Sequence, residues 1–313
     1  MSLERLSEGL EEAVLASVGY NRNQLHSDLQ HLKQWLQHQH HLPPSKIKEK
    51  DCFLEMFLVG CKGSLECAKR KLDAYYRNRS ESNHLYGNRD PLASVYHQAK
   101  HSCYMAILPK PTKEGIRITL SALANQDPER FDYANCTKRV VNLLEMRMRM
   151  EGIYGGDYII WDANNFSAGH VLKIVPSVVS DIIHLAQEIA PLRIRKIFFI
   201  NTAPFLDVAI NNLAKPFMTK KIKERVIVTS AGHEELLKYL DKNILPRDYG
   251  GEEPYTLQQL SDRWLQKESA LQKWFSSELS EYTDESKRLK TDNEFSNNSY
   301  FGLQGSLKKL IID

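Results

Sequence analysis

The chain has 313 residues, 42% of them hydrophobic, enough for a sizeable core in one large domain or two smaller ones. Its 42 basic and 39 acidic residues leave a net charge of +3, too balanced for a nucleic-acid partner, so any basic function must be local. No run approaches the roughly 18 apolar residues of a membrane span, and MSLERLSEGLEE carries charge where a signal peptide needs an apolar stretch, so a cytoplasmic protein is expected.

Up to about residue 90 the pattern is helical. Leu25, Leu29, Leu32 and Leu36 recur at three- and four-residue spacing until Pro43 and Pro44 stop the run. Ile47, Phe53, Leu54, Phe57 and Leu58 fit a second helix that ends in the region of Gly60 and Gly63. Ser64 is placed to cap a third helix carrying Leu65, Ala68, Leu72 and Tyr75 on one side. An all-α N-terminal domain without strands is therefore drawn at 1–90.

After GNRDPL (87–92) short β-rich runs alternate with longer helical ones. Strands are predicted at Ile116–Leu120, Tyr158–Trp161, Ile194–Ile200 and Arg225–Thr229, and helices at Lys173–Ala190, Phe205–Met218 and His233–Leu240. This alternation argues for an α/β layout with a mainly parallel sheet over 91–265. A C-terminal helix and extended tail are drawn at 266–313. Within it Glu278–Asn298 is polar and read as irregular, and SLKKLIID regains enough apolar content to dock as a short strand.

A parallel sheet invites a nucleotide or hydrolase reading, and the residues for each are missing. There is no G-x-x-x-x-G-K-[ST] loop, and Gly152, Gly155 and Gly156 precede a strand where a dinucleotide site needs them after one. No G-x-S-x-G elbow occurs, and no cysteine has an arginine six residues on. No enzyme activity, cofactor or metal is expected. The five cysteines, Cys52, Cys61, Cys67, Cys103 and Cys136, form no C-x-x-C pair and are odd in number, so free thiols in a reducing compartment are expected. His38, His40 and His41 lack neighbours spaced to complete a metal shell and read as a solvated cluster. Asp162 reads as a cap on the turn after its strand.

The stretch IRKIFFINTAPFLDVAINNLAKPF (194–217) runs a buried-looking strand through Pro204 into a helix with little polar surface. Asp207, Asn211 and Lys215 confine polarity to one stripe, with Asn212 beside it. Phe205, Leu206, Val208, Ala209, Ile210, Leu213, Ala214, Phe217 and Met218 cover well over half the circumference. Two readings stay open on pattern alone: a helix buried on two sides in the core, or a lid that is apolar inside against a cavity and apolar at its rim against a membrane. Arg193 and Arg195 precede it, and Lys220, Lys221, Lys223 and Arg225 follow. Such cations occupy a solvated face, or attract an anionic bilayer at roughly 1 kcal/mol per residue.

PLRIRKIFFINTAPF, AKPFMTKKIKERV and LPRDYGG (245–251), in this order, resemble the CRAL-TRIO, or Sec14-like, lipid-binding family. The resemblance is closest to its animal branch of tocopherol-transfer, retinaldehyde-binding and clavesin-like proteins, and runs from about residue 25 to 265. It implies an α/β CRAL-TRIO lipid-binding domain, its sheet flooring an apolar pocket under a mobile gate helix, here Phe205–Met218, preceded by an all-α N-terminal helical domain. The function implied is cytosolic binding and intermembrane transfer of a small hydrophobic ligand: a retinoid, carotenoid, tocopherol or similar lipid. The alternative within the family is a phosphoinositide-reading adaptor in vesicle trafficking that moves no cargo.

Carried onto this chain, the pocket comprises Ile159, Trp161, Ile197 and Phe199 on the sheet, Phe166, Ile174, Ile182, Leu185 and Leu192 on the wall, and Ile210, Leu213 and Phe217 on the lid. Arg193, Arg195, Lys221 and Arg225 match residues that contact phosphoinositide head groups, and guanidinium forks suit phosphate oxygens. The partners implied are the lipid ligand and an anionic membrane surface, with peripheral membrane association. Two departures stand out. FLVGC (57–61) replaces the family's F-L-R-A-R, leaving Lys62 as the nearest basic substitute, and Thr202 and Ala203 alter the turn before the gate.

Overall fold

The computed structural model describes residues 3–44, 48, 50–93, 102–278 and 281–288. Ile47 and the expected C-terminal strand at 306–313 lie outside these residues. The chain opens with helices α1 (Glu8–Ala16), α2 (Arg22–Gln37), α3 (Asp51–Gly60), α4 (Leu65–Glu81) and a short α5 (Asn83–Tyr86). Ser64 caps α4 as predicted, its hydroxyl accepting from the Cys67 N–H at 3.3 Å. Leu25, Leu29 and Leu32 of α2 pack with Phe53, Leu54, Phe57 and Leu58 of α3 and with Ala68, Leu72 and Tyr75 of α4, so the helical spacing read from the sequence is the spacing of one buried face.

The histidine reading needs correction. His38 and His40 are exposed, whereas His41 is buried at 3% exposure with its Nε2 2.6 Å from Asp73 Oδ1. Arg288 Nη1 donates to the same oxygen at 2.9 Å, and the Asp284 N–H donates to the His41 carbonyl at 2.8 Å. The polar segment 281–288 thus returns to the N-terminal helices through hydrogen bonds, which an apolar-content reading does not register.

The α/β part follows as β1 (Cys103–Ile107), β2 (Ile116–Leu123), α6 (Tyr133–Met148), β3 (Gly156–Asp162), α7 (Ala168–Leu172), α8 (Pro176–His184), β4 (Ile194–Ile200), α9 (Pro204–Ala209), α10 (Lys220–Lys223), β5 (Val226–Val228), α11 (His233–Leu236), α12 (Leu257–Ala270) and α13 (Gln272–Glu278). The strands lie in sequence order in one sheet, β1 antiparallel to β2 and the rest parallel. The fold is α/β with a mainly parallel sheet, as the sequence indicates; β1 and α6 were not anticipated. One sheet face presents Leu120, Ile160 and Phe198 to the core that holds Trp264 of α12. The other presents Thr119, Ile159 and Ile197 in one row, and Trp161 beside Phe199.

Two helices do not run as predicted. Helix α8 passes into a π-turn at Leu185–Ile189, and α9 into a π-turn at Ile210–Ala214 followed by a 3-10 turn at Lys215–Phe217. Pro216 has no N–H to donate and its ring crowds the carbonyl four residues back, so a regular helix cannot persist through the 204–217 segment.

Candidate functional site

An apolar cavity of about 320 Å³ lies between the sheet, α6, α8 and the 204–217 segment. Its floor is the sheet face of Thr119, Ile159, Trp161, Ile197 and Phe199, because residues two apart on a strand share a face and the parallel register sets Ile159 beside Ile197 and Trp161 beside Phe199. Phe166, Ile174, Ile182, Leu185 and Leu192 stand on the wall, and Ile210 and Leu213 face in from the covering segment. Phe217 does not reach the cavity; it is 40% exposed on the outside. The π-turn inserts one residue into the helix, a rotation of about 100° for everything after it, and Met218 lines the cavity instead.

The largest omission from the sequence reading is α6, which contributes Tyr133, Cys136, Thr137, Val140 and Leu144 to the wall. Its start carries a usable signal: Asp132 accepts from the Asn135 N–H at 3.0 Å as an N-cap, and the cavity-facing positions recur at helical spacing. The rest of the helix hides that signal, since it is rich in charge that proves to be buried and paired. Glu145 accepts from the Tyr75 hydroxyl at 2.5 Å and pairs with Arg89 at 2.7 Å. Arg147 pairs with Glu151 at 2.9 Å and with Asp157, while Arg117 donates to the other Glu151 oxygen at 2.5 Å. Arg147 and Asp157 reach the cavity edge, but they neutralise each other there, so the lining stays apolar in character. Burial pushes the Tyr133 phenol up to about 12, which keeps it a proton donor.

Asp162 does cap the turn after its strand, accepting from the Asn164 N–H at 2.9 Å. It also accepts from Asn201 Nδ2 at 2.7 Å and from the Tyr249 hydroxyl at 2.7 Å, tying together the C-terminal ends of β3 and β4 beside the cover.

The outer surface of the cover carries large apolar side chains among polar ones, Asp207, Asn211 and Asn212 also being exposed there. Val208 is 58% exposed, with Phe205 and Phe217 beside it on the same segment. The neighbouring α7, which touches α9, adds Leu172 at 86% exposure, and Val175 follows. Monomeric proteins seldom leave so many large apolar side chains together in water without a use.

Basic residues flank the cover in sequence. Arg193 and Arg195 stand at the start of β4, Lys221 in α10, and Arg225 just before β5. Lys62 joins them from the turn between α3 and α4, its backbone in the left-handed region at φ 54°. Lys221 foremost, then burial, then Arg193, Arg195 and Arg225 hold the Lys62 ammonium below its usual pKa, which places all five charges within electrostatic reach. Burial and Arg195 likewise lower Arg193. Among the described residues the three guanidiniums donate to backbone carbonyls: Arg193 to Tyr154 at 3.4 Å, Arg195 to Gly155 at 3.1 Å, and Arg225 to Ile194. Among the described residues none of the five is ion-paired with a carboxylate.

Residues 101–251 match the CRAL/TRIO domain family, and residues 21–95 match the Pinta-like, UBA domain family. The chain carries a CRAL/TRIO domain. It is similar to Clavesin-1 of Xenopus laevis, 23% identical over 235 residues that span 75% of this chain and 70% of the relative. It is similar also to the alpha-tocopherol transfer protein-like protein of Mus musculus, 25% identical over 202 residues that span 64% and 58% of the two chains. The crystal structure of Sfh5 superposes with a TM-score of 0.46 at 12% identity, covering 84% of this chain and 98% of that one. The resemblance to the animal CRAL-TRIO branch read from the sequence is borne out by this domain match and these relatives, and CRAL/TRIO proteins bind and transfer lipophilic ligands. Among the described residues no helix of this CRAL/TRIO chain is long and apolar enough to cross a membrane.

Proposed function

We propose that this CRAL/TRIO chain takes a small hydrophobic ligand from one membrane, carries it in the cavity, and releases it at another. The observation that supports the reading is one segment with large apolar side chains on both sides: 204–217 covers an apolar cavity with Leu206, Ile210 and Leu213, and exposes Phe205, Val208 and Phe217 among the polar Asp207, Asn211 and Asn212. Arg193 is buried, and Lys62, Arg195, Lys221 and Arg225 draw the chain to an anionic surface, at roughly 1 kcal/mol each. Burial of the outer face in the interface then favours a displaced cover, because that face gains an apolar surrounding only at the membrane. The ligand passes between bilayer and cavity without meeting water, and each CH₂ so protected is worth roughly 0.8 kcal/mol.

The apolar lining favours a retinoid, carotenoid, tocopherol or comparable lipid, with few polar groups to meet Thr119, Tyr133 and Thr137. Phosphate oxygens of a phosphoinositide head group are the anion that best suits Arg193, Arg195 and Arg225 together with Lys62 and Lys221, and Lys62 supplies the basic contact missing from FLVGC. The reading calls for peripheral membrane association and for no bond to be made or broken.

Organic extraction of the purified chain followed by mass spectrometry tests the cargo, and transfer of that lipid between vesicles tests the carrier. A single lipid species near one per chain is expected, moved faster when acceptor vesicles contain phosphoinositide. The double variant K221Q/R225Q should lose about 2 kcal/mol of vesicle affinity, roughly thirtyfold. Vesicle binding with an empty extract and no transfer would replace the carrier with the adaptor.

A further inference from the structure

Cys136 faces the cavity, and a second thiol stands directly behind it. The sulfurs of Cys103 and Cys136 are 3.3 Å apart, and Ser102 Oγ lies 3.1 Å from the Cys136 sulfur. Cys103 opens β1 on the same strand face as Ile107, which also lines the cavity. The pair is fixed from behind by Arg139, which donates to the Cys103 carbonyl at 2.6 Å and to Ser261 Oγ at 2.8 Å. Exposure is 0% for Cys103 and 2% for Cys136, so the molecule best placed to reach these sulfurs is one inside the cavity. The hydrogen bond shared with Cys103, then Ser102 and Arg139, hold the Cys136 thiol below its ordinary pKa against the opposing effect of burial. Nothing in ligand carriage uses this arrangement.

We propose that Cys136 in the cavity wall and Cys103 behind it form a redox-active dithiol that reduces a hydroperoxide group on a lipid held in the cavity. The inference rests on the cavity being a ligand site. The Cys136 sulfur attacks the terminal oxygen of R–O–O–H and the O–O bond breaks. Cys136 becomes a sulfenic acid, and the alkoxide leaves as the alcohol with the thiol proton. The Cys103 sulfur then attacks the Cys136 sulfur, the S–O bond breaks, and hydroxide departs as water with the Cys103 proton. Two thiols lose two electrons, and one hydroperoxide becomes one alcohol and one water. Disulfide closure needs the sulfurs to approach by about 1.2 Å from their present separation. Cys52, Cys61 and Cys67 do not line the cavity and serve as internal controls.

The full chain is treated with cumene hydroperoxide in the absence of oxygen, and its thiols are mapped by mass spectrometry. In the same sample, displacement of a fluorescent fatty-acyl probe reports whether the hydroperoxide enters the cavity. One Cys103–Cys136 disulfide and one cumyl alcohol are expected per hydroperoxide consumed, with hydrogen peroxide slower and an apolar competitor protective. C103S should stop at a Cys136 sulfenic acid that dimedone captures, with probe binding kept. Probe displacement with both thiols intact overturns the dithiol while leaving the cavity reading in place. A disulfide formed as fast with hydrogen peroxide, or regardless of competitor, also overturns it, since the oxidant then acts from outside. Failure of any apolar probe to bind removes the cavity reading and this inference together.

Discussion

Helix α6 and the 204–217 segment face each other across the same cavity, yet one is fastened by buried charge and the other by apolar contact. On the α6 side, Glu145 is held by Arg89 and Tyr75, Arg147 by Glu151 and Asp157, and Arg139 by β1 and Ser261. On the covering side, the side-chain hydrogen bonds that reach 204–219 among the described residues come from Gln187, whose Nε2 donates to the Phe217 carbonyl at 3.1 Å and whose Oε1 accepts from the Thr219 N–H at 2.7 Å. Buried ion pairs resist being broken one partner at a time, whereas an apolar face with few directional bonds can detach and find another apolar surface. The contrast gives the cavity one side fastened by directional bonds and one with few of them, which is what the proposed exchange with a membrane calls for.

The contrast breaks most severely at Glu145. Glu145→Gln leaves Arg89 and Arg79 buried without their counter-charge, and a loss of about 3–5 kcal/mol is expected, read as a lower urea midpoint at unchanged slope. Burial pushes this carboxyl up, but Arg79 and Arg89 hold it below its usual value. A depressed carboxyl contributes its stability at neutral pH and loses it as pH falls through the folded value, so the variant should also flatten the acid limb of the stability profile. Equal stability of variant and parent would mean that the α6 side owes its rigidity to apolar packing after all.

A smaller effect, confined to the other side, is expected from the pair Phe205→Ser and Val208→Asp. Both side chains are exposed, so thermal stability should change by no more than about 0.5 kcal/mol. Partition onto anionic vesicles should fall by at least tenfold, about 1.4 kcal/mol, because the two side chains lose their apolar insertion. Liposome flotation alongside a thermal melt separates the two quantities. A large drop in melting temperature with vesicle binding intact would make the outer face structural.

The same difference explains what could be read in advance. The parallel strands β2 to β5 are legible because each is an apolar run between turns, and the floor residues follow from period-two alternation once a strand is located. Ile159, Trp161, Ile197 and Phe199 all stand on that floor. Helix α6 is illegible for the opposite reason: Asn142, Glu145 and Arg147 look like a solvated face, and only partners 4 to 126 residues away turn that face into a buried one. His41 is misread in the same way, since Asp73 and Arg288 are distant in sequence. Phe217 fails by a single residue, because Pro216 announces the end of a helix and not the π-turn that precedes it. Lys62 joins the basic cluster through a turn, and Cys103 meets Cys136 across 33 residues with no spacing motif to join them.

Gln187→Ala gives the smallest effect and the finest test of how the cover moves. The substitution deletes the two hydrogen bonds to Phe217 and Thr219, both on the exposed side, together worth about 1 kcal/mol, so unfolding stability should fall by no more than that. If the segment lifts as a unit from its 217–219 end, the lost clamp lowers the barrier to entry and exit alike. A fluorescent probe should then associate and dissociate about fivefold faster at nearly constant Kd, since about 1 kcal/mol is a factor of roughly five. Faster dissociation with unchanged association would instead mean that Gln187 stabilises the loaded state directly. Unchanged rates would place the moving end at the Pro204 side, where Asn201, Asp162 and Tyr249 are hydrogen-bonded together, and Tyr249→Phe would become the variant that speeds exchange.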